Sequence, residues 1–279
     1  MNSFEKLHLE KIEENLFRGK PEESGLERVF GGYVLAQALL STASTVIVGR
    51  CHSLHSYFLR PGDPHEPILY EVDRVRNGKS FSTRRVSAVQ RGRVIFIMTA
   101  SFQIPEEGLV HQFKMPSVPP PEDLPTDIER MKKSLRRLTE EQRKTLSRER
   151  PIDLKRVEAI DFANPKKRLP VQHIWLRSKE RLGADDPEHQ AFLAYASDMG
   201  LLSTSSLPHK KSWLTGLQTA SLDHSMWFHD SFRIDKWTLA VIESPKASNS
   251  RGFNRCLMFS AEGSLIASVA QEGLMRVLE

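Results

Sequence analysis

The longest uncharged run of the chain, Val29 to Gly49, covers 21 residues (49 − 29 + 1), and the segments after it alternate apolar and polar positions. The run opens on Phe30-Gly31-Gly32, carries Gln37 near its middle and turns rich in Ser and Thr toward its end. Its length would reach across a bilayer. Those polar groups make a poor lipid-facing surface, so the expected state is a helix buried all round inside a protein core. Further on, Ile68 to Val75, Asn77-Gly78 and Ser80 to Gln90 read as a hairpin, with Asn-Gly supplying two positive-φ residues for a tight turn. Arg91-Gly92 marks the next turn. The strand predicted after it, Val94 to Phe102, starts VIFIM, which points to burial on both faces.

This pattern occurs twice. Tyr33 to Ser44 reads YVLAQALLSTAS and Tyr195 to Ser206 reads YASDMGLLSTSS, agreeing at six of twelve positions at an offset of 195 − 33 = 162. His55 faces His224 at 224 − 55 = 169, and Gln103 faces Gln271 at 271 − 103 = 168. In the second copy Trp237 to Glu243, a longer turn over Ser244 to Arg251, Gly252 to Ser260, a tight turn at Glu262-Gly263 and Ser264 to Gln271 repeat the strand plan. A slowly drifting offset is the mark of a duplicated unit, and two units that each bury one face against the other form a pseudo-dimer. The reading is α+β, with residues 1–104 and 151–279 as tandem units, each a long apolar helix and several antiparallel strands. Between them, residues 105–150 form a connector. Met115 to Pro125 is too rich in Pro for helix, whereas Thr126 can cap a helix on which Ile128, Met131, Leu135 and Leu138 form a narrow apolar stripe.

Charge changes the picture little. A formal net charge of +5 and a pI near 9.2 favour anionic partners, but the densest basic stretch, Arg130 to Arg150, is interleaved with Glu and reads as a solvated helix face. No nucleic-acid partner is expected. Cys51 and Cys256 are the two cysteines of the chain and form no paired ligand spacing, which argues against a disulfide framework and against structural zinc. The first residues, MNSFEKLHLEKIEEN, lack the apolar core of a secretory signal, and stable membrane insertion is not expected.

Chemistry is sought among polar groups inside segments that read as buried, since leaving such a group unpaired costs about 1–3 kcal/mol. Asp198 lies within FLAYASDMGLL, among Phe192, Tyr195, Ala196 and Met199, and its counterpart in the first copy is Ala36 (198 − 162). Gln271 closes the last strand, as Gln103 closes the third. Ser221, just before Asp223-His224-Ser225, maps onto His52 (221 − 169). The trio Asp198, Ser221 and Gln271 therefore faces Ala36, His52 and Gln103, a set unable to do the same acid–base work. One working site per chain and one relic is the expected outcome. Neither a Gly-x-Ser-x-Gly elbow nor a Gly-rich phosphate loop occurs, which removes nucleophilic serine catalysis and nucleotide hydrolysis. His55 and His224 are read as makers of a structural hydrogen bond.

The motifs LEKIEENLFRG, VFGGYVLAQAL, HSYFLRPGDP, FSTRRVSAVQ, LAYASD, LDHSMWFH, SRGF and VAQEGLMR follow one another from Leu9 to Arg276. In this the chain resembles the type II acyl-coenzyme A thioesterases, both bacterial and peroxisomal. The resemblance implies a double hotdog fold and hydrolysis of fatty acyl-CoA by activated water with no covalent intermediate. It also implies that Asp198, Ser221 and Gln271 hold that water, Ser standing where bacterial members carry Thr. Coenzyme A is then part of the substrate and no cofactor is called for. Arg60, Arg84 and Arg251 stand equally as contacts for its phosphates or as structural residues. The last residues, Arg276 to Glu279, form no Ser-Lys-Leu-type tripeptide, so the compartment is left between cytoplasm and peroxisome. The readings set beside hydrolysis are hydration or dehydration of an acyl thioester with His55 or His224 as base, and acyl-CoA binding without catalysis. Assembly into a homo-oligomer is compatible with all of them.

Overall fold

Among the described residues, thirteen antiparallel strands form one continuous sheet that wraps around two apolar helical segments lying against each other. The computed structural model describes residues 7–21, 27–126, 129–130, 136, 138–147, 150–184 and 186–278. The first unit contains β1 (Leu9–Glu13), β2 (Leu16–Gly19), α1 (Gly31–Ala43), β3 (Arg50–Phe58), β4 (Ile68–Asn77), β5 (Phe81–Gln90) and β6 (Arg93–Gln103). After the connector, with α2 at Glu140–Ser147, the second contains β7 (Ile152–Arg156), β8 (Val171–Ser178), α3 (Asp186–Ser197) and α4 (Leu201–Ser206). It ends in β9 (Leu217–Ser221), β10 (Asp223–Phe228), β11 (Thr238–Ser248), β12 (Arg251–Ser260) and β13 (Leu265–Val277). The strand order is β1-β2-β4-β5-β6-β3-β10-β13-β12-β11-β8-β7, with β9 added alongside β13. The halves join where β3 pairs with β10, His224 opposite Ser56 and Ser225 opposite His55. One apolar core runs through both, from Leu35, Tyr70 and Phe96 to Phe192, Met258 and Ile266.

α1 ends at Ala43, earlier than the uncharged run does, and Ile47 beyond it is 97% exposed. The hydroxyls of Ser41, Thr42, Ser44 and Thr45 donate to the carbonyls of Ala38, Leu39, Leu40 and Thr42, drawing the backbone acceptors away from further helical turns. The second copy differs more. Its helix is cut in two, with Asp198 just past the end of α3 and Gly200 in the left-handed region (φ 91°) before α4 begins. Where the spacing predicts Asp198 inside one continuous helix, the structure places it at a break.

The turns also redistribute. The left-handed pair sits at Arg91 (φ 49°) and Gly92 (φ 71°), while Gly78 is not left-handed. Gly78 is instead needed for closeness, as a Cβ there would lie 2.7 Å from the Phe81 carbonyl oxygen. In the second copy β11 continues through Ser248, and the turn is the left-handed pair Asn249 and Ser250 (φ 49° and 55°) rather than a long loop. The register slips between Glu243 and Lys246, so Pro245 sits in a bulge that needs no ladder donor.

Part of the connector is pinned to the second unit. The Trp175 indole donates to the Pro119 carbonyl at 3.0 Å, Lys155 to that of Pro121 at 2.7 Å, and Gln112 bonds both Gly263 and Leu265 backbone across the β12–β13 turn. Thr126 and Glu129 form the reciprocal hydrogen bonds of a capping box, as a helix start at Thr126 requires. Ile128, Met131 and Leu135 of the predicted stripe lie outside the described residues, whereas Leu138 is buried.

Matching the two β-hairpins by register rather than by letters corrects the repeat. Ala88 pairs with Phe96 just before the slip to Val89–Val94, and Met258 pairs with Ala267 just before the slip to Phe259–Leu265. The offsets are 258 − 88 = 170 and 267 − 96 = 171, so Gln271 corresponds to Ala100 (271 − 171) and not to Gln103. By the same matching Ser221, paired with Gly273, corresponds to Cys51, paired with Phe102, and not to His52. Two shared letters three residues out of step had produced the apparent glutamine pair.

Candidate active site

Asp198, Ser221 and Gln271 come from three elements and meet. Asp198 follows α3, Ser221 ends β9, and Gln271 is mid-strand in β13 rather than at its end. Gln271 Nε2 donates to Asp198 Oδ1 at 2.6 Å and Ser221 Oγ donates to the same oxygen at 3.1 Å. The other carboxylate oxygen, Oδ2, accepts the backbone N–H of Gly32 at 3.0 Å. Gly32 lies in the first turn of α1, so the positive end of a helix from the first unit holds the acid of the second.

That approach explains the glycine pair. A Cβ on Gly31 would stand 2.8 Å from Asp198 Oδ2 and 3.0 Å from the Phe58 ring, and one on Gly32 would stand 2.5 Å from the Tyr195 carbonyl oxygen. Neither can carry a side chain without displacing the carboxylate or the backbone. Sequence reasoning used these glycines only to reject a membrane span; the usable signal was two adjacent Gly at the mouth of an apolar helix.

Asp198, Ser221 and Gly31 line a cavity of about 990 Å³. Val29, Val34, Phe58, Ile95 and Phe96 give it an apolar wall from the first unit, and Leu154, Met199, Leu202 and Leu217 one from the second. Arg28 and Arg60 add basic groups. Gln271 is fully buried and forms no part of the cavity wall, so it reaches the carboxylate from behind. Its Oε1 has no hydrogen-bond partner among the described residues. An orphan acceptor of this kind costs about 1–3 kcal/mol. Turning the amide over would not relieve it, since the oxygen would then face the Asp198 carboxylate, which can only accept.

Behind Gln271 stands His224, completely buried, its Nδ1 3.4 Å from Gln271 Nε2 and its Nε2 2.9 Å from Ser197 Oγ. Burial pushes this imidazole down to about 4, partly opposed by the Asp198 carboxylate, and it is neutral at pH 7. His55 is different: it is an exposed, outward-facing residue of β3 between buried Leu54 and Ser56, with Nδ1 3.1 Å from Ser225 Oγ and its ring edge-on to Trp227. The two histidines each make a structural hydrogen bond, as read from the sequence, but in different surroundings. Among the described residues no histidine lines the cavity.

Of the arginines considered for phosphates, Arg84 is 2% exposed and spends its guanidinium on Thr45, Asn77 and the Arg76 and Thr83 carbonyls. It is a core residue. Arg251 pairs with Glu272 at 2.9 Å, and Arg60 alone of the three lies on the cavity. The first-unit positions matched to the trio, Ala36, Cys51 and Ala100, are all buried and apolar, and burial pushes the Cys51 thiol up to about 12.

Two helix-in-sheet units in one continuous sheet, with a carboxylate–hydroxyl–amide cluster beside the junction, define a double hotdog protein. Comparison with known proteins agrees on the fold. The family described as "Acyl-CoA thioesterase" matches residues 153–274, and "Acyl-CoA thioesterase N-terminal domain" matches residues 21–103. A curated mouse protein, Acyl-coenzyme A thioesterase 8, is 42% identical over 97% of this chain and 88% of its own length. The crystal structure of the acyl-CoA thioesterase II TesB2 from Mycobacterium marinum superposes with a TM-score of 0.80 at 40% identity, covering 99% of this chain and 98% of that one. A hot dog fold protein of unknown function from Alicyclobacillus acidocaldarius, at 20% identity and TM-score 0.79, shares the fold. The chain belongs to the acyl-CoA thioesterase family.

Proposed function

We propose that this protein hydrolyses acyl-CoA thioesters to the free acid and coenzyme A, with Asp198 as general base. The observation that carries the reading is a carboxylate on the wall of an apolar cavity, held by a hydroxyl, an amide and a helix N-terminus. Oδ1 already accepts two hydrogens and Oδ2 one, so the remaining acceptor position on Oδ2 suits a water. Ser221 gives its own hydrogen to Asp198, which leaves its oxygen to accept the second hydrogen of that water. The water's lone pair is then directed at the thioester carbon. Asp198 takes the proton, the tetrahedral oxyanion collapses with cleavage of the C–S bond, and the departing thiolate takes the proton up.

The Gly32 N–H is committed to Asp198, so it is the N–H of Gly31, in the same first turn and on the cavity wall, that suits the developing oxyanion. Gln271 acts by holding the base. The acyl chain occupies the apolar part of the cavity, and Arg28 and Arg60 suit the coenzyme A phosphates. Coenzyme A belongs to the substrate and no cofactor enters the reaction.

Hydration of an enoyl thioester by a histidine base is disfavoured, because His224 is fully buried with both nitrogens engaged and His55 is off the cavity. No helix among the described residues is long and apolar enough to cross a membrane. The test is release of coenzyme A thiol from a ladder of acyl-CoA chain lengths. Thiol appearing in proportion to free acid is the expected result; binding without thiol release would leave an acyl-CoA-binding protein, and consumption of an enoyl-CoA without thiol release would leave a hydratase.

A further inference from the structure

We infer that His224 is a positioning residue whose tautomer sets the orientation of Gln271 and so the seat of Asp198; the inference rests on Asp198 being the base proposed above. The hydrogen bonds run in one direction. Ser197 Oγ lies 2.8 Å from the Ala194 carbonyl, which can only accept, so the Ser197 hydroxyl donates there. The contact from His224 Nε2 to Ser197 Oγ, at 2.9 Å, is then one in which the imidazole donates. A neutral imidazole protonated on Nε2 carries a lone pair on Nδ1.

That lone pair faces Gln271 Nε2 at 3.4 Å, and the amide's other hydrogen goes to Asp198 Oδ1 at 2.6 Å. Both neighbours of the amide nitrogen are acceptors, so one end of Gln271 is specified twice and its Oε1 is left as the orphan. The opposite tautomer would present N–H to N–H and favour the turned amide, which sets oxygen against Asp198. His224 is also anchored from the first unit, where Ser56 Oγ donates to its carbonyl at 2.9 Å. The first-unit position matched to it is Leu54 (224 − 170), fully buried and unable to accept, in the half where Ala100 replaces the glutamine. The acceptor and the amide occur together or not at all.

The experiment compares His224→Asn, His224→Gln and His224→Phe with wild type and Asp198→Asn in steady-state hydrolysis of one acyl-CoA. Asn sets an acceptor near the position of Nδ1, Gln reaches only toward Ser197, and Phe fills the volume with neither. Asn should keep kcat within about threefold, while Gln and Phe lose about 10- to 100-fold in kcat at unchanged KM, the range for residues that orient a reacting group from behind. Phe retaining wild-type kcat, or Asn falling as far as Phe at equal Tm, overturns the proposal. If Asp198→Asn keeps full activity the functional reading fails; if it collapses while all three His224 variants stay active, this inference alone fails. The ¹⁵N spectrum of wild-type protein tests the tautomer without any substitution. An Nε2–H imidazole is expected for His224, and an Nδ1–H imidazole would overturn the assignment.

Discussion

The two units solve the same packing problem with opposite interiors. Where the second has Asp198, Ser221, Gln271 and His224, the first has Ala36, Cys51, Ala100 and Leu54, every one of them buried. The apolar set asks nothing of its surroundings, and α1 runs unbroken past it. The polar set needs partners for each group, and the helix beside it is interrupted at Asp198 and Gly200. Its satisfaction is incomplete within its own half: Asp198 needs the Gly32 N–H, and the cavity needs Phe58 and Phe96 from across the pseudo-dimer. The lesson is that the half without the polar trio is not spare. It supplies the Gly32 donor and the Phe58 and Phe96 wall that the other half uses.

The hardest blow to this comparison is Asp198→Asn, which removes a base and should cost about 10²- to 10⁴-fold in kcat by thiol release. Gly31→Ala comes next. A methyl 2.8 Å from Oδ2 must displace the carboxylate, and a misplacement near 1 Å costs about 100-fold, so activity should fall by that order although the change lies in the unit without the trio. Ser221→Ala deletes one hydrogen bond to a charged acceptor, worth about 1.5–3 kcal/mol, and should slow turnover roughly 10- to 100-fold. The matched change Cys51→Ser should leave turnover within about twofold on the same rate scale. Equal losses from the matched pair would show that the halves are not divided as described.

The smallest effect is on stability. Burial lowers the folded-state value of His224 to about 4 from an ordinary 6.5, so between these values the unfolded chain takes up a proton that the native chain does not. Stability contributed by the neutral imidazole is full above pH 6.5 and declines as pH falls toward 4. Thermal unfolding should show the decline, and His224→Phe should flatten it over that window. An unchanged slope would remove His224 from the account.

The duplicated α+β plan was legible because apolar periodicity survives even where individual letters do not. Asp198, Ser221 and Gln271 were legible for a related reason, as polar residues in segments that pack apolar. What failed was local. Asn77-Gly78 looks like a left-handed turn, but Asn77 accepts from buried Arg84 and the left-handed pair falls on Arg91-Gly92. Ser244 to Arg251 reads as a longer turn, yet β11 runs on through Ser248 and a bulge absorbs Pro245. Gln103 and Gln271 looked equivalent because letters were compared, whereas inward and outward facing is set by strand register. His224 was read as structural and Gly31-Gly32 as evidence against a membrane span, because a single chain position cannot show which donor from the far half will arrive beside it.

The unbroken ladder from β3 into β10 has one last consequence. A pair of separate subunits sharing such a site would lose it on dilution, by mass action. Here the partners travel on one polypeptide at a fixed effective concentration, so the meeting of Gly32 with Asp198 carries no dilution term.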